Sequence, residues 1–478
     1  MMAEDLTQFV SWLGDLPRRG GALATWFDAD APVYAARAPG RLDVMGGIAD
    51  YSGSLVLQMP IAEAACCAVQ CNDTGHFDAA TIDADTPATH YFSAPAALLA
   101  DDLGAIAVAL ATHDAGDWGA YLLGPVAALL HHTGAPPPRG MRVLLRSHVP
   151  AGKGVSSSAA IEVATARAAA AALGCEIGGH ALALCCQAAE NRVARAPCGV
   201  MDQLAATLGR EGELLAILCQ PAEVLGHCRV PEPWRVWGVD SGVRHAVSGA
   251  DYGQVRAAAF MGYRYIAGAA GLRVTPLAPG RVRIDDPRWH GHVANVTPSE
   301  YETCFRDAVP AQVTGRAFLD AMHGTTDELV PIDPATTYAV RQAVAHPIHE
   351  HHRVRLFAAL LQAPTMPETP QLLGELMYQS HASYSACGLG SDATDAIVRQ
   401  VRDAGAAVGL YGAKITGGGS GGTVAVLGHR DAEPAVRRIA AAGRGAGPGG
   451  GDLPRRVFVG SSDGAMAVPV VRTRAGRG

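Results

Sequence analysis

The sequence predicts an α+β chain of two domains, with mixed sheets and helices in each half. Three observations carry that expectation. Strand-like and Ala-rich helical stretches follow one another irregularly, without the βαβα rhythm of a parallel sheet. A length of 478 residues is too long for one ordinary core, and two domains is the natural division. The turn Pro231-Glu232-Pro233-Trp234 then supplies a boundary, giving an N-terminal domain over 1–230 and a C-terminal domain over 231–478.

Taken in order, residues 33–38 read as a strand that ends at Pro39-Gly40, and further strands are expected at 54–60 and 62–71. Residues 141–147 alternate with period two and form another. Residues 157–173 contain no Gly or Pro and stop at Gly174, the pattern of a helix with a glycine cap. Helices are also expected over 180–195 and over 198–208, the latter ending at Gly209. Strands return at 214–218 and 236–240. The second half carries helical patterns near 251–269, 337–344, 351–362, 370–386 and 391–404, with a strand at 424–427. The run 443–451 is too glycine-rich to pack and reads as a mobile loop.

Composition narrows the function. Apolar residues make up 49% of the chain, charged residues only 17%, and 38 Lys+Arg stand against 45 Asp+Glu. A net charge of -7 gives no electrostatic reason to bind nucleic acid. Low charge with high apolar content excludes global disorder. No charge-free apolar window is long enough to cross a membrane, and the first residues lack the basic start and apolar run of a leader. The 11 cysteines show no zinc-like pairing and read as reduced thiols, so the expected location is cytoplasmic. The 56 glycines and 30 prolines exceed ordinary usage (about 7% and 5%) and imply many turns and close backbone approaches.

Three segments carry the chemistry. In Pro150–Ala160 a strand runs into Gly152, Lys153 and Gly154, then Ser156, Ser157 and Ser158, then a helix opening on Ala159. Glycines let backbone N–H groups approach an anion, and a helix start favours phosphate there. A serine hydroxyl can also ligate Mg²⁺ held on that phosphate. A plain serine N-cap accounts for the segment equally well when it is read alone. It is not a Walker loop, because Lys153 is followed by Gly154. The second segment, Lys414–Thr423, contains Gly417, Gly418, Gly419 and Gly422, but a β-branched strand follows where a dinucleotide fingerprint needs a helix. The third, Ala38–Gly53, read alone is a polar turn.

In this order the three segments resemble the three-motif signature of the GHMP kinases. Ala38-Pro39-Gly40-Arg41 with Asp50-Tyr51, Pro197–Gln203, Val243-Arg244-His245 with Tyr252, and Ser380-His381 with Asp395 narrow the resemblance to the galactokinase-like branch. It covers roughly residues 33–270 and 375–428. The resemblance implies a two-domain fold with the active site in the cleft between domains, and transfer of the ATP γ-phosphoryl to an anomeric hydroxyl. It implies Asp202 as the base and Arg41 as the cation beside it. Ser158 and Glu190 are the implied Mg²⁺ ligands, and Gly152, Gly154, Ser156, Ser157, Ser158, Ala159, Gly418 and Gly419 the implied ATP contacts. Asp50, Gly47, Ile48, Gly199 and Tyr252 are implied at the sugar.

One departure bears on the substrate. Galactokinases carry Gly-Glu-His-Thr-Asp-Tyr where this chain has Gly46-Gly47-Ile48-Ala49-Asp50-Tyr51. The missing Glu and His serve the C6 hydroxymethyl end of galactose, and a buried hydroxyl left unpaired there costs about 1–3 kcal/mol. L-Arabinopyranose lacks that carbon. Residues 37–61 and 152–160 also resemble the kinase part of plant L-arabinokinases. The expected substrate is therefore L-arabinose, with β-L-arabinose 1-phosphate the product; the alternatives are a galactokinase and a non-catalytic sugar and ATP sensor. Restoring Glu at Gly47 and His at Ile48 is expected to shift preference toward galactose. The chain is expected to be a monomer or weak homo-oligomer, with no nucleic-acid or membrane partner. His346–His352 imitates a zinc cluster, but its spacing is wrong and Pro347 is expected to break the helix there, leaving a solvated helix start.

Overall fold

A computed structural model describes residues 3–83, 88–113, 116–243, 250–364, 366–446 and 452–475. Two sheets organise it. The first takes β1 (Val33–Met45), β2 (Leu55–Asn72), β3 (His76–Asp83), β4 (Thr89–Pro95), β5 (Gly140–Ser147), β6 (Glu213–Leu218) and β7 (Glu223–Arg229). The second takes β8 (Trp234–Asp240), β9 (Leu410–Ile415), β10 (Thr423–His429) and β11 (Val457–Phe458), in the order β9-β10-β8-β11. The last strand, β12 (Val471–Thr473), returns to the first sheet and pairs with Val33–Ala35, giving the order β12-β1-β2-β5-β3-β4 with β6 and β7 branching from β2.

Helices sort onto these sheets by their apolar faces. α1 (Glu4–Arg19) covers one face of the first sheet, with Leu6, Phe9, Leu13 and Leu16 buried on Ala35, Cys66 and Leu144. The opposite face carries α2 (Leu103–Leu110), α3 (Gly116–Thr133), α4 (Ser157–Leu173), α5 (Gly179–Arg192) and α6 (Met201–Leu208). α7 (Ala250–Ala269) packs on the first half of α8 (Val340–Gln362) around Tyr263, Ile266, Val344 and Ile348. α9 (Thr369–Ala386) and α10 (Asp392–Ala404) lie on the second sheet. The class is the mixed α+β one expected.

Several bounds differ from the sequence reading, and prolines explain most of them. β1 does not end at Pro39-Gly40, and β2 is one strand rather than two. Pro39 pairs with Ala64 and Arg41 with Pro60, so both prolines sit at a single register shift where the ladder already lacks a bond. That bulge is occupied: a Cβ on Gly40 would stand 2.6 Å from the carbonyl oxygen of Val155, and Arg41 N–H donates to the same carbonyl at 3.0 Å. β2 then serves two partners, β6 through Leu55–Gln58 and β5 through Ala65–Asn72. The helices over 180–195 and 198–208 are shorter than expected, because Pro197 holds residues 194–200 out of helix. β7 lacked a legible pattern. The expected break at Pro347 does not occur. α8 runs through it, since His346, Ile348 and Glu350 are buried on both sides and their contacts outweigh a proline cost of about 3 kcal/mol. Residues 447–451 of the glycine run lie outside the described residues; before them Arg444–Ala446 pairs with Asp452–Pro454.

Candidate active site

The site begins where β5 gives way to α4. Gly152, Gly154 and Ser156 take positive φ (70°, 68° and 58°), turning the chain sharply into the helix. Ser156 stands at the N-cap but makes no capping bond, and its Oγ is buried without a partner. The first N–H groups of α4, at Ser157 and Ser158, thus lack a side-chain cap, and the helix dipole adds to their pull on an anion. The second segment, Lys414–Thr423, braces this loop. A Cβ on Gly417 would lie 2.8 Å from Gly154 O, one on Gly422 would lie 3.0 Å from Lys153 O, and Thr423 Oγ1 donates to Lys153 O at 2.8 Å.

Next to the loop, Arg41 and Asp202 form an ion pair of 2.7 Å. Asp202 sits in the first turn of α6, and Arg41 Nε also donates to its Oδ1 at 2.9 Å. Both contacts fall on Oδ1, which leaves Oδ2 without a protein partner among the described residues. Arg41 Nη1 donates to Gly154 O at 2.7 Å, tying the pair to the phosphate loop. Ser158 borders the cavity together with Glu190, whose carboxyl is pushed up to about 7, first by burial and then by the charge of Asp202. Gln203 Nε2 and Cys198 Sγ donate to Glu190, at 2.5 and 3.4 Å. A buried carboxylate without a cationic partner, set against a hydroxyl at an anion seat, fits a divalent cation with hard oxygen ligands.

Asp50 and Gly199 meet on the other side. Gly199 approaches so closely that a Cβ would run into the Asp50 carboxylate. Asp50 is buried, its Oδ1 has no partner, and its carboxyl is raised to about 6 by burial and then by Asp202. Tyr252 stacks edge-on against Tyr51, with ring centroids 5.8 Å apart. Ile48 is buried among Tyr384, Leu389 and Ile415 and stands at φ 52°, a left-handed conformation that a β-branched residue rarely adopts.

These residues line one cavity of about 560 Å³: Arg41, Ile48, Asp50, Gly152, Gly154, Ser156, Ser157, Ser158, Glu190, Gly199, Asp202, Tyr252 and Gly418 all border it. Gly47, Ala159 and Gly419 do not. Ala159 is wholly buried inside α4, and Gly419 packs its backbone on Leu389. Positive φ falls on Gly46 and Ile48 rather than on Gly47, and a Cβ on Gly47 would run into the Tyr384 hydroxyl and the Asp43 carboxylate. A Glu at 47 therefore has no room, and the double exchange expected to move sugar preference would instead disrupt the loop. His381 and Asp395 pair at 3.1 Å beneath β9, outside the cavity, and Arg244 and His245 lie outside the described residues.

Sequence reasoning missed Asp117, Tyr121 and Arg195 in the cavity wall. The first two belong to α3 and carry no motif; Arg195 stands at φ 55° in the short loop before Pro197. It also misjudged His346–His352. His346 and Glu350 are buried, not solvated, and the described residues hold no group of three or more metal-ligating side chains.

An uncapped helix start facing a carboxylate–arginine pair is the arrangement that phosphoryl transfer to a hydroxyl needs. Family comparison agrees. Residues 120–210 match the GHMP kinases N terminal domain, residues 356–445 the GHMP kinases C terminal model, and residues 24–71 the galactokinase galactose-binding signature. The chain thus carries matches to both GHMP kinase domain models and to the galactokinase signature. It is 40% identical to L-arabinokinase from Arabidopsis thaliana across 96% of its own length, and spans 48% of that protein. It is 29% identical to galactokinase from Chloroflexus aggregans, with 83% of this chain and 84% of that protein matched. Lactococcus lactis galactokinase, solved with galactose, superposes with a TM-score of 0.70 at 16% identity, covering 98% of this chain and 100% of the other. The fold is thus the one the sequence resemblance implied.

Proposed function

We propose that the protein is an ATP-dependent sugar-1-kinase that phosphorylates the anomeric hydroxyl of L-arabinose to give β-L-arabinose 1-phosphate. The observation that carries the reading is the single cavity in which Asp202 Oδ2 stands open between the uncapped start of α4 and the unpaired Oδ1 of Asp50. The nucleotide phosphates take the helix start, and Asp50 accepts a ring hydroxyl. Asp202 Oδ2 accepts the proton of the C1 hydroxyl as its oxygen attacks the γ-phosphorus, and the bond from that phosphorus to the β,γ-bridging oxygen breaks to release ADP. Arg41 holds the base and, through Gly154, the phosphate loop in one geometry. Ser158 and Glu190 would hold Mg²⁺, which when bound neutralises charge on the phosphates.

The apolar wall at Ile48 favours a sugar without the exocyclic hydroxymethyl, and the 40% identity to an L-arabinokinase points the same way. The galactose-binding signature at 24–71 supports galactokinase as the second reading. All 11 cysteines are free, which favours a reducing, cytoplasmic setting. None of the described helices is long and apolar enough to cross a membrane. We propose a monomer or weak homo-oligomer divided near residue 231, with the last strand returned to the first sheet. A coupled ADP-release assay over L-arabinose, D-galactose, D-galacturonate and D-glucuronate is the test. L-Arabinose is expected to show the highest kcat/KM. A clear preference for galactose would establish the second reading, and binding without turnover would establish a sensor.

A further inference from the structure

The loop that carries Gly46, Gly47 and Ile48 has the cavity in front of it and α8 behind it. Glu350 Oε1 accepts from Gly46 N–H at 3.1 Å and from Ser380 Oγ at 2.6 Å, while its Oε2 accepts from Arg353 Nε at 2.7 Å. His346 Nε2 lies 3.0 Å from Gly47 O, and His346 Nδ1 lies 2.7 Å from Ser383 Oγ. A carbonyl can only accept, so Nε2 carries the proton and Nδ1 accepts from the Ser383 hydroxyl. One turn on, His351 Nδ1 accepts from Leu55 N–H at 2.9 Å. His346 and Glu350 are almost wholly buried, at 1% and 0% exposure, so water does not compete for these bonds.

The bond to Gly47 O matters most. The peptide joining Gly47 to Ile48 sets φ at Ile48, and the value of 52° is one a β-branched side chain does not choose unaided. Strain of this kind persists only where the surroundings impose it. We propose that His346, backed by Ser383 and Glu350, is a positioning residue that sets sugar selectivity by pinning the Gly47–Ile48 peptide and so holding Ile48 in the cavity wall. The proposal rests on the sugar-kinase reading. Burial also lowers the basicity of His346 to about 4, consistent with a neutral ring.

The test compares wild type, His346→Leu and His346→Gln for kcat and KM on L-arabinose, D-galactose and ATP, with a thermal melt on each. His346→Leu removes the donor; the peptide is free to turn and Ile48 to relax. The expected result is a sugar KM raised about tenfold with ATP KM within twofold. The arabinose-to-galactose ratio of kcat/KM should fall by a similar factor. His346→Gln, whose amide N–H reaches a similar place, is expected to restore most of both. Unchanged sugar KM and ratio in a well-folded His346→Leu would overturn the proposal, as would an equal loss on ATP and sugar that Gln does not rescue. If His346→Leu does not fold, Ser383→Ala carries the test, because it frees the ring without touching the loop; a sugar KM raised about threefold supports the proposal and an unmoved one overturns it. Wild type inert on every sugar would sink the kinase reading and this inference with it, whereas an active wild type with unmoved selectivity in the variants would sink the inference alone.

Discussion

At the scale of single residues, the open oxygen of Asp202 and the unpaired oxygen of Asp50 lead to different measurements. Asp202→Asn is expected to keep ATP binding and lose about 10²–10⁴-fold in turnover. A mutant that keeps a third of wild-type turnover on its best sugar would remove Asp202 from the base role. Asp50 titrates near 6 because burial disfavours its charge. Above that pH it is an acceptor; as pH falls from 7 to 5.5 it gains a proton, and sugar KM should rise about fourfold. Asp50→Asn should flatten the profile, and a rise that persists in the mutant would assign it to another group. The sign for stability is opposite to that of an ion-paired carboxylate. The folded state binds this proton more tightly than the unfolded chain, so Asp50 opposes folding at neutral pH and the penalty fades between 6 and 3.8. That Arg41, Asp50 and Asp202 share one cavity was legible because each stands in a motif whose neighbours are also diagnostic. Gly47 was misjudged for want of depth: the Tyr384 and Asp43 groups that fill its space lie 337 and 4 residues away in the chain, and only the second was in view.

At the scale of elements, helix α4 was read to the residue because local chemistry alone defines it. Alanines fill it, and Gly174 ends it at φ 68° with open space around its missing Cβ. Gly174→Ala is therefore a test of backbone strain alone, expected to cost about 1 kcal/mol in urea denaturation with turnover unchanged. No loss would show that the helix frays before its cap. The strand bounds were legible only in part, since Pro39 and Pro60 look like two separate stops until the bulge that joins them is seen. α8 shows the same limit in a helix. Pro347 argues locally for a break, and the contacts that keep the helix whole come from the loop after β1, from β2 and from α9, none of them near it in sequence.

At the scale of the whole molecule, the first sheet is finished by the end of the chain. Ser461 and Ser462 donate to Pro60 O and Ile61 O at 2.6 and 2.7 Å. Buried Arg37 donates to Asp463 O at 3.0 Å, and β12 closes the edge of β1. Removing residues 459–478 is expected to lower the melting temperature and promote aggregation through the exposed edge. A shortened chain that melts at the wild-type temperature would make the segment an appendage. The same closure has a consequence for biosynthesis. At roughly 5–20 residues per second, a ribosome needs on the order of tens of seconds to travel from β1 to β12. Throughout that interval the nascent N-terminal half presents an unpaired edge, and for most of it a phosphate loop whose glycine brace has not yet been made. Codon choice along the intervening message is thus expected to change the yield of soluble protein without changing one amino acid.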